Sequence, residues 1–325
     1  MKKITAKAPV NIAIIKYWGK KDEIKVLPYN PSISYTLESL YTKTTLKEGT
    51  TPGVKFFING ILQSKNEHKK VIDFLSYFKG FNAEDPLIIE SINEVPTAAG
   101  FASSASGFAA LAVAANHYYN TLYDTSKLSV ITRQGSGSAV RSLLGGCVLW
   151  QTDGTIEQID TSTDDLAMIF VVINEKQKKT SSRDAMKHTV KTSYLYESWV
   201  EQAHKDAMDM LKVLKTNQFD FIGKIMESNS LFMHATMMMA QPPFTYFVDD
   251  SYRVYELVHT LREKNIPVYA TMDAGPNVKL LTKKAHINTI TKKLKTEGFN
   301  TLIVSNITKE GAAIINEKDD GFKAR

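Results

Sequence analysis

The stretch Pro96-Thr-Ala-Ala-Gly-Phe-Ala-Ser-Ser-Ala-Ser-Gly-Phe-Ala-Ala-Leu111 constrains the fold more than any other part of the chain. It begins as a turn at Pro96 and Gly100. It becomes small and hydroxylated at Ala102, Ser103, Ser104 and Ser106, then enters a helical pattern with Phe108, Leu111 and Ala115 on one face. Small side chains let a ligand approach the backbone closely. A helix N-terminus offers unpaired N–H groups and a partial positive charge, which suit phosphate. A plain serine cap would look similar locally. The density of three serines and two glycines within eight residues favours the phosphate reading. Neither GxxxxGK[ST] nor GxGxxG occurs, so the loop belongs to neither common nucleotide motif.

A chain of 325 residues suggests one large or two medium domains. At 43% hydrophobic and 23% charged, the composition is that of a soluble globular protein. No apolar run reaches membrane-spanning length, so no membrane partner is expected. The first residues, Met-Lys-Lys-Ile-Thr-Ala-Lys-Ala-Pro, lack the apolar core of a signal peptide. Cys147 is the single cysteine, which excludes an intramolecular disulfide and makes a cytoplasmic setting the expectation. The net charge of +6 and pI near 9.0 fit either nucleic acid or a small polyanionic substrate. Lysines and arginines are spread along the chain, and the densest cluster, Lys176, Lys178 and Lys179, is short. A nucleic-acid partner is therefore not expected.

Residues 3–18 read as extended, with Ile4, Ala6, Ala8 and Val10 alternating against polar neighbours. Two more strands fall within 25–47, broken by Pro28, Asn30 and Pro31. A short strand at 54–58 runs into the hairpin signal Asn59-Gly60. Helical spacing covers 66–78, the segment after the opening loop to about Tyr119, and 124–133. Strands are expected at 86–90, 145–150 and 168–173, the last buried on both faces. Residues 182–235 carry long helical patterns that Pro242-Pro243 stops, and a helix covers 252–263. Strands at 268–272, 278–281, 301–304 and near 312–315 surround a helix at 287–295. The class is α+β, with mixed or antiparallel sheets covered by helices. The expected domains are 1–180 and 181–325.

Three further clusters could carry chemistry. Gly135-Ser136-Gly137-Ser138 with Arg141 combines backbone N–H groups, hydroxyls and a guanidinium, which grips carboxylate or phosphate through a planar fork. A surface turn has the same composition. Thr180-Ser181-Ser182-Arg183-Asp184 opens a helix, and Lys187 lies four residues beyond Arg183 on the same face. An anion site and a solvated, capped helix fit this spacing equally. Asp273 ends an apolar strand before Ala-Gly-Pro, a placement suited to an active-site carboxylate and also to an Asp turn. His234, between methionines, reads as a structural helix histidine. No His, Cys or carboxylate spacing suggests zinc.

Together these stretches resemble the GHMP superfamily of small-molecule kinases and, within it, the mevalonate diphosphate decarboxylase family. The resemblance rests on Ala8-Pro-Val-Asn-Ile-Ala-Ile-Ile-Lys-Tyr-Trp-Gly-Lys20, Pro96–Ser106, Gly135-Ser-Gly-Ser-Ala-Val-Arg-Ser142, Ser181-Ser-Arg-Asp-Ala-Met-Lys187 and Met272-Asp-Ala-Gly-Pro-Asn277. It implies a two-domain GHMP-kinase-like fold, ribosomal-protein-S5-like at the N-terminus and ferredoxin-like at the C-terminus, with the active site between the domains. It also implies a homodimer. The implied reaction takes ATP and mevalonate 5-diphosphate to isopentenyl diphosphate, ADP, phosphate and carbon dioxide. A related kinase that stops after phosphorylating the hydroxyl is the alternative.

The resemblance assigns Asp273 to the 3-hydroxyl, Arg141 to the substrate carboxylate and Lys187 to charge on the transferred phosphoryl group. Tyr17, Lys20, Ser136, Gly137, Ser138, Ser182 and Arg183 would hold the diphosphate, with Asn11 in support. Gly100, Ala102, Ser103, Ser104 and Ser106 would face the ATP phosphates, with Ser104 also at Mg2+. Ser91 and Asn93 would lie near the adenine. Phe101, Pro31 and Val140 depart from the family pattern, where Leu, Ser and a small Ser or Cys are usual.

Overall fold

The computed structural model describes residues 2–94, 103–174 and 181–315. The first half of the glycine–serine loop, residues 95–102, lies outside them, as does the Lys176–Lys179 cluster. The chain opens with β1 (Lys3–Ile15), whose Ala6, Ala8 and Val10 are fully buried while Lys3, Thr5 and Lys7 face outward or are half-buried. A small ribbon follows, β2 (Lys20–Asp22) with β3 (Leu27–Pro28). Residues 29–31 separate it from β4 (Ser32–Glu48), as Asn30 and Pro31 led one to expect. Next come β5 (Val54–Ile58) and β6 (Ile61–Leu62), the Asn59-Gly60 hairpin, then α1 (Lys65–Leu75) and β7 (Leu87–Asn93).

The serine-rich loop leads into α2 (Ser103–Tyr118). Then follow α3 (Thr125–Gly135), a 3-10 turn at Gly137–Ala139, α4 (Val140–Leu143), β8 (Cys147–Trp150), β9 (Ile156–Ile159) and β10 (Leu166–Val171). Beyond residue 181 the chain forms α5 (Ser182–Thr192), α6 (Tyr196–Lys215), α7 (Phe219–Met238) and α8 (Asp249–Glu263). It ends with β11 (Val268–Met272), β12 (Val278–Lys283), α9 (Ile287–Thr296), β13 (Leu302–Asn306) and β14 (Ala313–Ile314).

Among the described residues, the larger sheet has the order β14-β1-β4-β7-β5-β6, with β8 paired to β4 and β9 to β8. Its pairs are antiparallel except β5 with β7. Helix α2 lies on this sheet through Ala109, Ala110 and Ala112 against Ala6, Ala8 and Leu46. Alanine on both sides lets helix and sheet approach closely, so the alanine run that read as a helix is also what seats it.

The second sheet, β11-β12-β10-β13, is antiparallel throughout. All six residues of β10 are buried. Met168 and Phe170 point to a core shared with α6, α7 and the ends of β1 and β4. Ile169 and Val171 point to a core with α8 and α9. This double coverage explains a strand without polar alternation. Sheet membership does not follow the expected 180/181 division: β10 joins the second sheet and β14 pairs with β1 in the first. The sheets are also tied where Thr308 N–H donates to Thr36 O at 3.0 Å and Gly146 N–H donates to Thr308 O at 2.7 Å.

Candidate active site

Where the C-terminal end of β1, the α3–α4 turn, the start of α5 and the β11–β12 turn converge, a cleft of ≈ 660 Å³ opens. Its lining carries Lys16, Lys20, Lys70, Arg133, Arg141, Arg183 and Lys279 against the carboxylates Glu67, Asp184 and Asp273. The lining thus carries more cations than carboxylates, which suits a polyanionic ligand.

Asp273 is the first residue past β11. Helix α7 fixes the strand end that presents it: Ser230 Oγ accepts from Met272 N–H at 2.9 Å and donates to Met272 O at 3.1 Å. The Asp273 carboxylate lies between two lysines, with Lys16 Nζ 2.7 Å from Oδ1 and Lys279 Nζ 3.2 Å from Oδ2. The lysine side chains are 2% and 6% exposed and that of Asp273 35%, so the carboxylate is the most open of the three to the cleft. Lys16 is itself held: its Nζ donates to Ala13 O, its N–H to Asn229 Oδ1, and its carbonyl accepts from Asn30 Nδ2. Burial disfavours charge on Asp273, but the ammonium groups of Lys16 and Lys279 outweigh it and hold the carboxyl well below the usual range.

Burial pushes Lys16 down to about 8, with Asp273 opposing the shift. The ammonium form prevails below that pH and is lost above it. The kcat/KM of an enzyme needing this cation therefore falls above pH of about 8, and the limb of kcat lies higher, because bound anions favour the charged lysine. A pH series of both parameters checks this. Equal kcat/KM at pH values well above and below the limb would remove Lys16 from the chemistry.

Arg141, 3% exposed, stands on α4. Its Nε donates to Asn11 Oδ1 at 3.3 Å and its Nη1 to Ser32 Oγ at 2.6 Å. Nη2 is the edge left for a ligand. Asn11 Nδ2 in turn donates to Ser138 O and Ser142 Oγ. Asn11 thus pins the serine turn to β1 through contacts within the protein. Its position follows a register shift between Pro9 and Asn11, a local irregularity typical of strands near sites.

Ser136 ends α3, and its Oγ lies 3.2 Å from Ser138 Oγ. Tyr17 closes over this turn with its ring edge against Trp150, and its hydroxyl is buried with no hydrogen-bond partner. A Cβ on Gly137 would stand 2.9 Å from that hydroxyl, so only glycine leaves both in place. Lys20 lines the cleft with Nζ 3.2 Å from Glu23. Gly19 has φ +113°, and an added Cβ would fall 1.9 Å from the Tyr196 hydroxyl, which donates to Trp18 O at 2.7 Å. Gly19→Ala should destabilise the protein by roughly 1–3 kcal/mol, the usual scale for a strained residue. Chemical denaturation measures it, and an unchanged midpoint would contradict the steric reading.

At α5, Ser181 is the N-cap, accepting from Asp184 N–H at 3.1 Å. Ser182 and Arg183 line the cleft. Lys187 is exposed on α5, four residues beyond Arg183, and lies outside the lining. Of the nucleotide-side residues, Ser104, exposed in the first turn of α2, reaches the cleft. Gly100 and Ala102 lie outside the described residues, as does the side chain of Ser103. Ser91, Asn93 and Ser106 lie outside the lining. Ser106 is fully buried with its Oγ 2.7 Å from Thr42 Oγ1, which also donates to Asn93 Oδ1 at 2.9 Å. Ser91 is buried with its Oγ 2.9 Å from Thr44 Oγ1. These hydroxyls and the amide bind β4, β7 and α2 together and do not line the cleft.

Sequence reasoning passed over Lys16 and Lys279. A lysine inside Val278-Lys-Leu-Leu281 was the available signal, because lysine is almost never buried unless paired. His234 lies buried on α7, as a helix histidine should.

With this geometry in view, the comparisons with known proteins are consistent along the whole chain. Residues 8–167 match the family model of the diphosphomevalonate decarboxylase-like N-terminal domain, and residues 167–319 that of the mevalonate 5-diphosphate decarboxylase C-terminal domain. Curated relatives include the diphosphomevalonate decarboxylase of Saccharomyces cerevisiae, 36% identical over 84% of this chain and 76% of that protein. The enzyme of Ganoderma lucidum is 34% identical over 88% of this chain and 80% of that protein. Among solved structures, mevalonate diphosphate decarboxylase from Staphylococcus aureus superimposes with TM-score 0.91 at 42% identity, covering 97% of this chain and 98% of that one. A protein designated MDDEF, solved in complex with MVAPP, AMPPCP and magnesium, gives TM-score 0.90 at 41% identity, with 96% and 98% covered.

Proposed function

The chain belongs to the diphosphomevalonate decarboxylase family, and from that membership we propose how its cleft works. The enzyme is an ATP-dependent decarboxylase with the GHMP-kinase-like fold: it converts mevalonate 5-diphosphate to isopentenyl diphosphate, with release of ADP, phosphate and carbon dioxide. Its substrate is a 3-hydroxy acid. Loss of the carboxylate as carbon dioxide drives an electron pair toward C3, so C3 must shed a group. Hydroxide leaves poorly and phosphate leaves well. ATP therefore phosphorylates the 3-hydroxyl first. The C3–O bond then breaks with phosphate departing, the C1–C2 pair becomes the C2–C3 double bond, and carbon dioxide is released.

Asp273 accepts the hydrogen bond of the 3-hydroxyl and aims its oxygen at the γ-phosphorus. Between two ammonium groups it is too weak a base to deprotonate an alcohol in advance. The proton passes to Asp273 as the bond to phosphorus forms and ADP departs, in keeping with a loose transition state. Arg141 holds the substrate carboxylate through Nη2 until it leaves. Tyr17, Lys20, Ser136, Ser138, Ser182 and Arg183 hold the diphosphate, and Gly137 leaves it room. Ser104 and the start of α2 face the ATP phosphates. Lys187, exposed on α5 four residues beyond Arg183, would neutralise charge on the transferred phosphoryl group.

Among the described residues no group of three or more His, Cys, Asp or Glu stands ready for a metal. Mg2+, which typically keeps phosphate ligands and few protein ones, fits the Ser104 hydroxyl together with the phosphates of ATP. When bound, it would neutralise charge on the β- and γ-phosphates.

The observation that carries this reading is the Asp273 carboxylate presented to a cationic cleft opposite Arg141. Substrate labelled with ¹⁸O at the 3-hydroxyl tests it. The label should appear in inorganic phosphate, whereas label retained in a phosphorylated organic product or lost as water would overturn it.

We further propose a homodimer in a cytoplasmic setting. Exposed Phe221, Leu231 and Met238 on one face of α7 support self-association. The single cysteine, Cys147, free and buried, and the use of ATP support the compartment. No helix of the described residues is long and apolar enough to cross a membrane.

A further inference from the structure

We propose that Lys279 is a positioning residue for the reaction: it anchors Asp273 from the second sheet, so that the carboxylate keeps its aim when Lys16 turns part of its charge to an incoming phosphate. The inference rests on the reaction assigned above.

Lys279 stands in the middle of an apolar sheet. On β12 it pairs with Thr271 of β11 and Phe170 of β10, and its neighbours Val278 and Leu280 are fully buried. Lys279 itself is 5% exposed. An ammonium in such a place is strongly unfavourable unless paired, and packing alone would be served by an aliphatic residue. Its contacts are Asp273 Oδ2 and Asn277 O, each at 3.2 Å. The two lysines approach the carboxylate from different parts of the fold: Lys16 from the end of β1, in the first sheet, and Lys279 from the second sheet. With both oxygens engaged, the carboxylate plane is fixed.

Lys16 and Lys279 differ in their other contacts. Both lysines line the cleft, but only Lys16 has Arg141 among the charges that lower it, so an anion held at Arg141 competes with Asp273 for the charge of Lys16. Lys279 is braced by the Asn277 carbonyl inside the same β11–β12 connection that carries Asp273. It moves with Asp273 and not with the ligand.

The remaining groups around this set do not mimic its titration. Arg141 of α4 is pushed down by burial only to about 10. His234 of α7 is pushed down by burial to about 3 and stays neutral. Tyr17, and Tyr255 of α8, are raised by burial well above the ordinary tyrosine value. Lys279 is one of the charges that lower Lys16. Its removal must therefore raise Lys16 and, by taking away a cation, raise Asp273 as well.

The test is steady-state kinetics of the full chain with ATP and mevalonate 5-diphosphate across pH, comparing wild type with Lys279→Met, Lys279→Gln and Lys279→Arg. For Lys279→Met, kcat should fall about 10- to 100-fold, with both KM values within about threefold, the pattern of an interaction used in the transition state. The alkaline limb of kcat/KM should move to higher pH, and Lys279→Arg should recover much of kcat. Lys279→Gln gives the same limb shift if the methionine variant does not fold. An alkaline limb that stays at wild-type pH, or a loss confined to KM, would overturn the proposal. Wild-type protein that forms no carbon dioxide would instead overturn the reaction itself, so the two failures are distinguishable.

Discussion

Asp273→Ala should lower kcat by about a thousandfold or more, the scale set by losing both orientation of the nucleophile and a preorganised charge. ATP and mevalonate 5-diphosphate should still bind, because the groups assigned to their phosphates and carboxylate lie elsewhere in the cleft. The substitution leaves Lys16 and Lys279, both buried, without their shared counter-ion. One of them should then deprotonate, since an uncompensated buried charge is costly. Asp273→Asn separates shape from charge: it keeps the side-chain volume and one oxygen acceptor but removes the anion. Both variants should lose turnover, with the asparagine protein nearer wild type in thermal stability. Calorimetric binding of each ligand alongside turnover checks the claim, and near-normal turnover in either variant would contradict the role of Asp273.

The second large effect is expected at Arg141. Arg141→Gln should reduce kcat/KM for mevalonate 5-diphosphate by about 30- to 5,000-fold, corresponding to the roughly 2–5 kcal/mol of truncating one partner of a buried charge pair. The KM for ATP should change little. Two of the guanidinium's edges are committed, to Asn11 and Ser32, and these hold it in a buried position under the cleft. Lysine is no conservative substitute there, because a point charge cannot bridge Asn11 Oδ1, Ser32 Oγ and a carboxylate at once. Arg141→Lys should therefore also be impaired. A loss that falls on the KM of ATP while that of the substrate is unchanged would move Arg141 to the nucleotide side and contradict the assignment.

Much of this fold is legible in the sequence because its signals are local. Asn59-Gly60 makes its hairpin, and residues 29–31 break the strands around them. The alanine run after Ser106 becomes the helix that the first sheet seats. What cannot be read locally is which sheet a strand joins. β10 carries no polar alternation, so nothing in it distinguishes the first sheet from the second. Its partners β12 and β13 lie more than a hundred residues away.

The site divides in the same way. Arg141, Ser136, Ser138, Ser182, Arg183 and Asp273 stand in short motifs, and the cleft brings them together. Ser91 and Ser106 belong to hydroxyl-bearing stretches too, but composition does not say which side of a strand or helix faces inward. The structure turns both onto buried threonines. Lys16 escaped notice because the carboxylate it pairs with is 257 residues distant. The Ser230 contacts that fix Met272 are non-local in the same sense.

The central claim is that one cleft couples phosphoryl transfer to the 3-hydroxyl with expulsion of the carboxylate. It is tested most directly by following ADP and carbon dioxide together in one reaction with ATP and mevalonate 5-diphosphate. Equal amounts of the two, appearing together with isopentenyl diphosphate, are the expected result. ADP forming while a phosphorylated product accumulates and carbon dioxide does not appear would contradict it.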